Sequence, residues 1–199
     1  GVSPSRRSGP DLGGRVSTPL NRPNDAMQLI ILGPPASGKG TQARLLHERR
    51  DLTHVDTGAL IRTESNSSST GLGREAKRAM ARGELLSDRL VWKIVRKRLE
   101  ELAYREYVLD GYPRTRVQAR YLGLCSKVDL DSALWLEVPD EILKGRIRER
   151  MEEEDRPDDR PEAVERRIQN YHAKTEPVRQ YFEKRGLLES IDAVGSIEE

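Results

Sequence analysis

Cysteine is nearly absent from the 199 residues. The single Cys125 excludes an intrachain disulfide framework and a cysteine-built metal site. No apolar run approaches the ~20 residues needed to span a bilayer, and none has the form of a signal peptide. A soluble, reducing compartment is therefore expected, with no membrane partner. Nor does one sign of charge dominate: 35 Lys and Arg face 33 Asp and Glu, a net of +2. Residues 1–26 hold four of those arginines (Arg6, Arg7, Arg15, Arg22) against Asp11 and Asp25, which leaves 31 basic and 31 acidic groups in the remainder. A neutral body lacks the basic stripe that drives nucleic-acid binding through counterion release, so no nucleic acid is expected as a partner. One imbalance persists, 27 arginines to 8 lysines. Arginine's planar fork suits bidentate contact with carboxylate or phosphate. Codon bias accounts for the bulk excess equally well, so only individual positions carry information.

Residues 1–26 contain four Gly, four Pro and four Ser with few apolar side chains. Such a segment buries too little surface to offset its ordering entropy and reads as a disordered leader. It begins at Gly1 rather than Met, as processing or a cloning remnant would produce, and its prolines disfavour the amphipathic helix of an organelle targeting peptide. From Met27 strands and helices alternate. Met27–Leu32 is a short apolar run ending in Gly33-Pro34-Pro35, as a buried central strand would, and a helix bearing Ala43, Leu45 and Leu46 follows to about Arg50. Further strands are expected at His54–Thr57, Tyr107–Asp110, Ala133–Val138 and Leu188–Val194. Helical spacing recurs in Leu90/Val91, Ile94/Val95, Leu99, Leu102 and again in Leu143, Ile147, Met151. A later helix, marked by Val164, Ile168, Tyr171, Val178 and Tyr181, is expected to start near Pro161 and bend at Pro177. Five short strands separated by helices predict an α/β fold with a parallel sheet covered on both faces.

The stretch Gly33-Pro-Pro-Ala-Ser-Gly38-Lys39-Gly40-Thr41 lies where the first strand turns into the first helix. Its glycines let the backbone bend around an anion, its N–H groups and the helix dipole point at phosphate oxygens, and Lys39 adds a point charge. The strict G-x4-G-K-[ST] pattern is broken at one place, where Gly40 follows the lysine and the hydroxyl comes one position later. Strand before and helix after satisfy the context this motif requires, so a nucleoside di- or triphosphate is the expected ligand.

The same segment, Gly33 through Gln42, resembles the loop of the nucleoside monophosphate kinases, in which glycine after the lysine is usual. Four further blocks match in order: His54-Val-Asp-Thr-Gly-Ala-Leu-Ile-Arg62, Gly83-Glu-Leu-Leu-Ser-Asp88, Leu109-Asp-Gly-Tyr-Pro-Arg-Thr-Arg-Val-Gln118, and the lid region from Val138-Pro-Asp-Glu through Arg146, Arg150, Arg156-Pro-Asp-Asp159 and Arg167. The resemblance covers residues 27 to about 195, and within the group it is to the adenylate kinases. Thr57 and Gln118 stand where the uridylate/cytidylate kinases usually have alanine and asparagine. Ala59 departs from the usual aspartate and Leu86-Ser87 from the usual Val-Pro or Val-Thr; altered tuning is expected, with activity kept. Six positions separate Arg150 from Arg156, too few for the small sheet or zinc cysteines of long-lid members, so a short lid without zinc is implied. The resemblance thus implies a P-loop three-layer sandwich with a five-stranded parallel sheet, a helical AMP-binding subdomain at about 56–86 and a lid at about 150–160. Residues 27–199 form the one domain.

The activity implied is reversible transfer of the terminal phosphoryl group of Mg-ATP to AMP, giving two ADP, in a cytoplasmic monomer, or in an organelle if the leader is a targeting remnant. The acceptor is a phosphate oxygen already largely ionised at neutral pH, its second pKa being about 6, so no catalytic base is required. His47 and His172 read as surface helix residues and His54 as a strand-edge cap. In-line positioning and cationic groups around the moving charge are what the chemistry needs. By the resemblance, Pro35, Ala36, Ser37, Gly38, Lys39, Gly40 and Thr41 hold the ATP phosphates with Arg150, while Arg146 and Gly195 lie at its adenine. Thr57, Gly58, Arg62, Glu84, Leu85, Leu86, Gly111, Tyr112, Pro113 and Gln118 bind AMP, Gln118 reading the adenine edge. Arg114, Arg156 and Arg167 hold the AMP phosphate or the transferred group, and with Lys39 and Arg150 form the catalytic set. Asp158 and Asp159 tie the closed lid, which excludes water. Asp110, ending a hydrophobic strand beside the loop, would hold Mg2+ through its water shell. Cys125 reads as a small apolar filler. The rivals are a kinase of CMP or UMP, which Thr57 and Gln118 oppose; a silent nucleotide-binding module, which retention of Lys39, Asp110 and the arginines opposes; and a switch GTPase, which has no use for a second arginine-lined site.

Overall fold

A computed structural model describes residues 26–67, 70–81, 86–153 and 168–196. The expectations for the leader, for Glu84 and Leu85, for most of the lid (Arg156, Asp158, Asp159) and for Arg167 fall outside the described residues, as does the start of the helix expected near Pro161. Of Arg150 the backbone alone is described.

The chain runs β1 (Gln28–Leu32), α1 (Lys39–Arg50), β2 (Thr53–Asp56), α2 (Thr57–Asn66), α3 (Gly71–Ala81), α4 (Asp88–Glu101), β3 (Tyr107–Asp110), α5 (Arg116–Leu124), β4 (Ser132–Glu137) and α6 (Asp140–Glu153). A π-helical turn at Tyr171–Thr175 then enters α7 (Glu176–Glu183), and β5 (Leu188–Asp192) closes the order. The strands form one sheet ordered β2-β3-β1-β4-β5, with every pair parallel. The expected five-stranded parallel sheet is present, its strand limits shifted by at most two residues.

β1 is buried along its whole length. Its alternating side chains supply two cores, as the period of two demands. Ile30 and Leu32 join Tyr107, Leu109, Ala133 and Trp135 under α4, α5 and α7, while Leu29 and Ile31 meet Val108, Leu136 and Ala43 of α1 on the opposite face. Cys125 packs partly buried against the first of these cores, consistent with a filler. A smaller cluster of Ala76, Leu90 and Ile94, with Leu60, Ile61, Leu72 and Leu86 around it, joins α2, α3 and α4. β5 lies at the sheet edge and is largely exposed, which its polar Glu189, Ser190 and Asp192 allow.

The bend expected at Pro177 takes the form of the π turn just before it. Proline has no N–H and its ring crowds the carbonyl four residues back. The backbone widens there, with the Glu176 N–H reaching the Tyr171 carbonyl five residues earlier.

One polar residue ties the amino-terminal edge of the sheet together. Gln28, 2 % exposed, donates from Nε2 to the Tyr104 carbonyl at 2.5 Å, while its Oε1 accepts from the Tyr107 hydroxyl at 2.9 Å and the Asp129 N–H at 2.9 Å. All three contacts join segments far apart in sequence. Gln28→Leu would break all three buried bonds, so we expect it to cost about 1–3 kcal/mol. The check is the urea midpoint at unchanged m-value; a shift equivalent to less than about 0.5 kcal/mol would refute the hub role.

His172 of the π turn lies between two carboxylates, Nδ1 at 2.9 Å from Glu176 and Nε2 at 3.2 Å from Asp140 of α6. The bond to Glu176, then that to Asp140, favours the doubly protonated ring and raises its pKa above the ordinary value. A raised folded-state pKa means that the pair stabilises fully below the unfolded pKa of about 6.5 and is lost as pH rises through the folded value. We therefore expect His172→Gln to lower the urea midpoint at pH 6 and to match the parent at pH 9. The effect should be small because the groups are exposed.

Candidate active site

In a sheet of this order the chain leaves β1 and returns by β2 and β3 on one side, then crosses to β4 and β5 on the other. That reversal puts a crevice at the carboxyl end of β1, where open α/β sheets bind their ligands. The segment emerging there is the glycine-rich loop. Gly33 is required by contact: a Cβ would lie 2.9 Å from the Leu136 carbonyl oxygen of β4 and 2.9 Å from Ser37 Oγ. The loop then curls through Ala36 at φ 62° and Gly38 at φ 91°, left-handed positions that turn successive N–H groups to one side as an anion-binding nest. Lys39 opens α1 and folds back into this curve, donating to the Pro34 carbonyl at 2.5 Å and lying 3.3 Å from Ser37 Oγ. An entering phosphate oxygen would compete with these acceptors for the ammonium. Ala36, at the apex, packs on Ile147 of α6 and on Ile168, which follows the lid region.

Beside the loop, Asp110 ends β3. Its Oδ2 would lie 3.4 Å from a Cβ at Gly40 and stands 3.3 Å from His54 Nε2. The sequence reading assigned His54 to the strand edge. The structure instead gives it a partner on the strand alongside, because residues two apart on β2 and β3 share one face of the sheet. Asp110 presents hard carboxylate oxygens, one engaged by a single neutral-or-cationic partner, at the margin of a phosphate loop. That donor set fits a hydrated Mg2+, which binds through one or two carboxylates and keeps its waters.

On the far side of β3, the end of β2 turns directly into α2. Asp56 caps that helix, accepting the Ala59 N–H at 3.0 Å, and lies 3.9 Å from the Arg62 guanidinium. Ala59 thus contributes a backbone donor, and the cap forms without a carboxylate at position 59. Arg62 Nη1 would lie 3.2 Å from a Cβ at Gly58, so glycine lets the arginine fold over the turn. Thr57 is 2 % exposed, and its hydroxyl alone among the buried side-chain polar atoms described has no hydrogen-bond partner. A buried hydroxyl left open at the first position of α2 is a group that a ligand could satisfy.

The loop after β3 brings Gly111, Tyr112, Pro113 and Arg114 to the same edge. Gly111 has φ 75°, and a Cβ there would sit 3.0 Å from Arg114 Nη2; the arginine's Nε donates to the Gly111 carbonyl at 2.9 Å. Thr175 of the π turn donates to the Arg114 carbonyl at 3.0 Å, which links this loop to the helix following the lid. Tyr112 is buried, donates to the Gln118 carbonyl at 3.2 Å and stacks on Trp92; burial, then the charge of Asp88, pushes its hydroxyl pKa far up. Gln118, in the first turn of α5, is 6 % exposed. Leu86 packs partly buried, and Ser87 caps α4 by accepting the Leu90 N–H at 3.2 Å.

On the other side of β1, Arg146 of α6 donates from Nη2 to the carbonyls of Ala193 (2.9 Å), Val194 (3.1 Å) and Gly195 (3.3 Å). Two positions 49 apart, both expected at one adenine, are therefore neighbours. Of the expected residues that can be described, the structure groups the loop, Lys39, Asp110, Thr57, Arg62, Arg114 and Gln118 at the carboxyl ends of three adjacent strands, with Arg146 and Gly195 beyond. Sequence reasoning missed Asp56, His54, Thr175 and Asp88, since their partners lie on other elements; only Asp56, directly before a helix, carried a capping signal.

Comparison with known proteins agrees with this geometry. The family model described as Adenylate kinase matches residues 31–187. An adenylate kinase of Xanthomonas oryzae pv. oryzae (strain MAFF 311018) is 44% identical over 177 residues, covering 87% of this chain and 94% of the relative. An adenylate kinase of Xylella fastidiosa (strain M23) is 42% identical over the same span and coverage.

Because the Thr57 hydroxyl satisfies nothing within the fold, Thr57→Val removes a buried polar group without breaking a bond. We expect the urea midpoint to stay level or rise, while KM for the monophosphate acceptor rises about two- to tenfold, the worth of one hydrogen bond of roughly 0.5–1.5 kcal/mol. A fall in stability with unchanged KM would mean that the hydroxyl serves the fold.

Proposed function

Since the chain belongs to the adenylate kinase family, and so transfers the terminal phosphoryl group of ATP reversibly to AMP to give two ADP, we propose the following division of labour among its residues. Pro35 to Thr41 cradle the ATP phosphates with Lys39 as the point charge. Arg146 lies against the adenine, held there by the loop that ends in Gly195. Thr57, Gly58, Arg62, Leu86, Gly111, Tyr112, Pro113 and Gln118 receive AMP, with Glu84 and Leu85 completing the base pocket. Arg114 faces the phosphoryl group in transit, and Arg150, Arg156 and Arg167 join it when the lid at about 150–160 closes through Asp158 and Asp159. Residues 56–86 act as the AMP-binding subdomain, for which the small cluster joining α2 and α3 to α4 is fitting support.

The observation that carries this reading is the order of the strand ends. The phosphate loop follows β1, the Thr57 turn follows β2, and Arg114 follows β3, which lies between them. With strands about 4.8 Å apart, donor loop and acceptor turn stand about 10 Å from each other, room for two phosphates to meet across the β3 loop. Arg114 is at that midpoint. The acceptor oxygen is anionic on arrival, so the work left to the protein is alignment and charge neutralisation. Asp110 would hold Mg2+ through water, and the bound ion would neutralise charge on the ATP phosphates. Closing the lid removes water that would otherwise hydrolyse ATP. No zinc is needed by so short a lid.

We place the protein in the cytoplasm as a monomer, free of nucleic acid and membrane. Its neutral body and free Cys125 support this, and no helix among the described residues is long and apolar enough to cross a membrane. A CMP- or UMP-specific kinase is not favoured. A coupled assay with AMP and Mg-ATP should give ADP, and Arg114→Ala should lose about 10³-fold or more in kcat. Turnover within tenfold of the parent would remove Arg114 from the transferred group.

A further inference from the structure

Gln118 is held by two partners that leave its amide one orientation. Its Oε1 accepts the Arg114 N–H at 2.7 Å, and its Nε2 donates to Asp88 Oδ1 at 2.8 Å. A backbone N–H can only donate and an ionised carboxylate can only accept. Turning the amide by half a revolution would set N–H against N–H and oxygen against carboxylate. Each side of the carboxamide keeps one unused function: a second lone pair on Oε1 and a second hydrogen on Nε2. An acceptor and a donor, side by side and in fixed order, are complementary to a base edge that presents an amino hydrogen next to an unprotonated ring nitrogen. They are repelled by an edge presenting a carbonyl oxygen next to a ring N–H.

We propose that Asp88 is a specificity-determining positioning residue, which locks the Gln118 carboxamide so that the acceptor site takes amino-bearing bases and refuses keto-bearing ones. This rests on Gln118 reading the base. Asp88 needs no contact with the nucleotide: it stands at the first position of α4, with Ser87 as the cap, and acts through one hydrogen bond to a side chain 30 residues away. Since Asp88 is aspartate, the lock is one-way. Asparagine at that position could offer either its oxygen or its NH2 group, so the amide of Gln118 would lose one of its two fixed ends.

AMP and IMP test the proposal directly, because they differ in this edge alone: the amino group and bare nitrogen of one become carbonyl and ring N–H in the other. With Mg-ATP as donor, Asp88→Asn is expected to raise KM for AMP several-fold, to affect kcat less, and to lower the AMP-over-IMP ratio of kcat/KM about tenfold, the scale on which a bidentate base contact discriminates. Asp88→Ala, which retains the Ser87 cap, should do the same and stands in if the first variant folds poorly. Gln118→Leu is the control for the underlying reading and should raise KM for AMP and erase the preference. If Gln118→Leu acts and both Asp88 variants keep the AMP-over-IMP ratio within twofold, the lock is overturned while the base reader stands. If the Asp88 variants raise KM for AMP and IMP by one common factor, the role is structural and the proposal fails. If Gln118→Leu changes neither quantity, the base reading fails and takes the lock with it.

Discussion

Everything at the active edge depends on β1 being buried on both sides and flanked by parallel neighbours. A central strand with β3 on one hand and β4 on the other must end at the same height as both, because parallel pairing fixes direction and register together. The loop that follows has no room to stray: the Leu136 carbonyl of β4 approaches Gly33 too closely for any side chain. In the proposed function this fixed loop is shaped for a phosphate before any nucleotide arrives. Such preorganisation costs nothing at the moment of phosphoryl transfer, which is why it is effective in a reaction that needs electrostatic alignment and no base.

Around that frame the polar side chains fall into two kinds. Some are engaged mainly within the fold. Gln28 has three partners and Ser87 and Asp56 cap helices, so these residues serve the scaffold. Others are held but left incomplete. Gln118 is fixed at both ends yet keeps one donor and one acceptor; Asp110 offers carboxylate oxygens beside the loop; Thr57 has no partner at all. Burial makes an incomplete polar group unfavourable, and in the proposed function a bound ligand or ion supplies the missing bond at these positions. The same contrast orders the arginines: Arg62 and Arg114 are folded back onto their own turns, each beside a glycine that makes room for them. Charge totals carried none of this information. The net of +2 lies within residues 1–26 and says nothing about these positions.

Much of the architecture was legible before any coordinates. A short apolar run ending in Gly and Pro marked the first strand, four further candidates lay close to the observed strands, and the loop with its lysine located the phosphate site, since all depend on neighbours in sequence. The edge position of β5 was less legible: its polar Glu189, Ser190 and Asp192 permit exposure, but the order of strands in the sheet decides it. The widened turn before Pro177 was visible as a bend and not as a π turn. His54 was misjudged as a cap for the same reason: whether a histidine on a strand faces a carboxylate is decided by the register of the adjacent strand.

The sequence by itself determined which residue types were available and in what local order: a strand-loop-helix that binds phosphate, arginines at helical spacing, a glutamine just inside a helix. Those properties follow from short-range sterics and periodicity. Only the tertiary structure decided which of them meet. The pairing of Asp88 with Gln118, of His54 with Asp110 and of Arg146 with the carbonyls of residues 193–195 spans 30, 56 and 47–49 positions. Hydrogen bonds reach about 3 Å and are blind to sequence separation. Proximity of that kind exists only once the parallel sheet has drawn its strand ends to one edge.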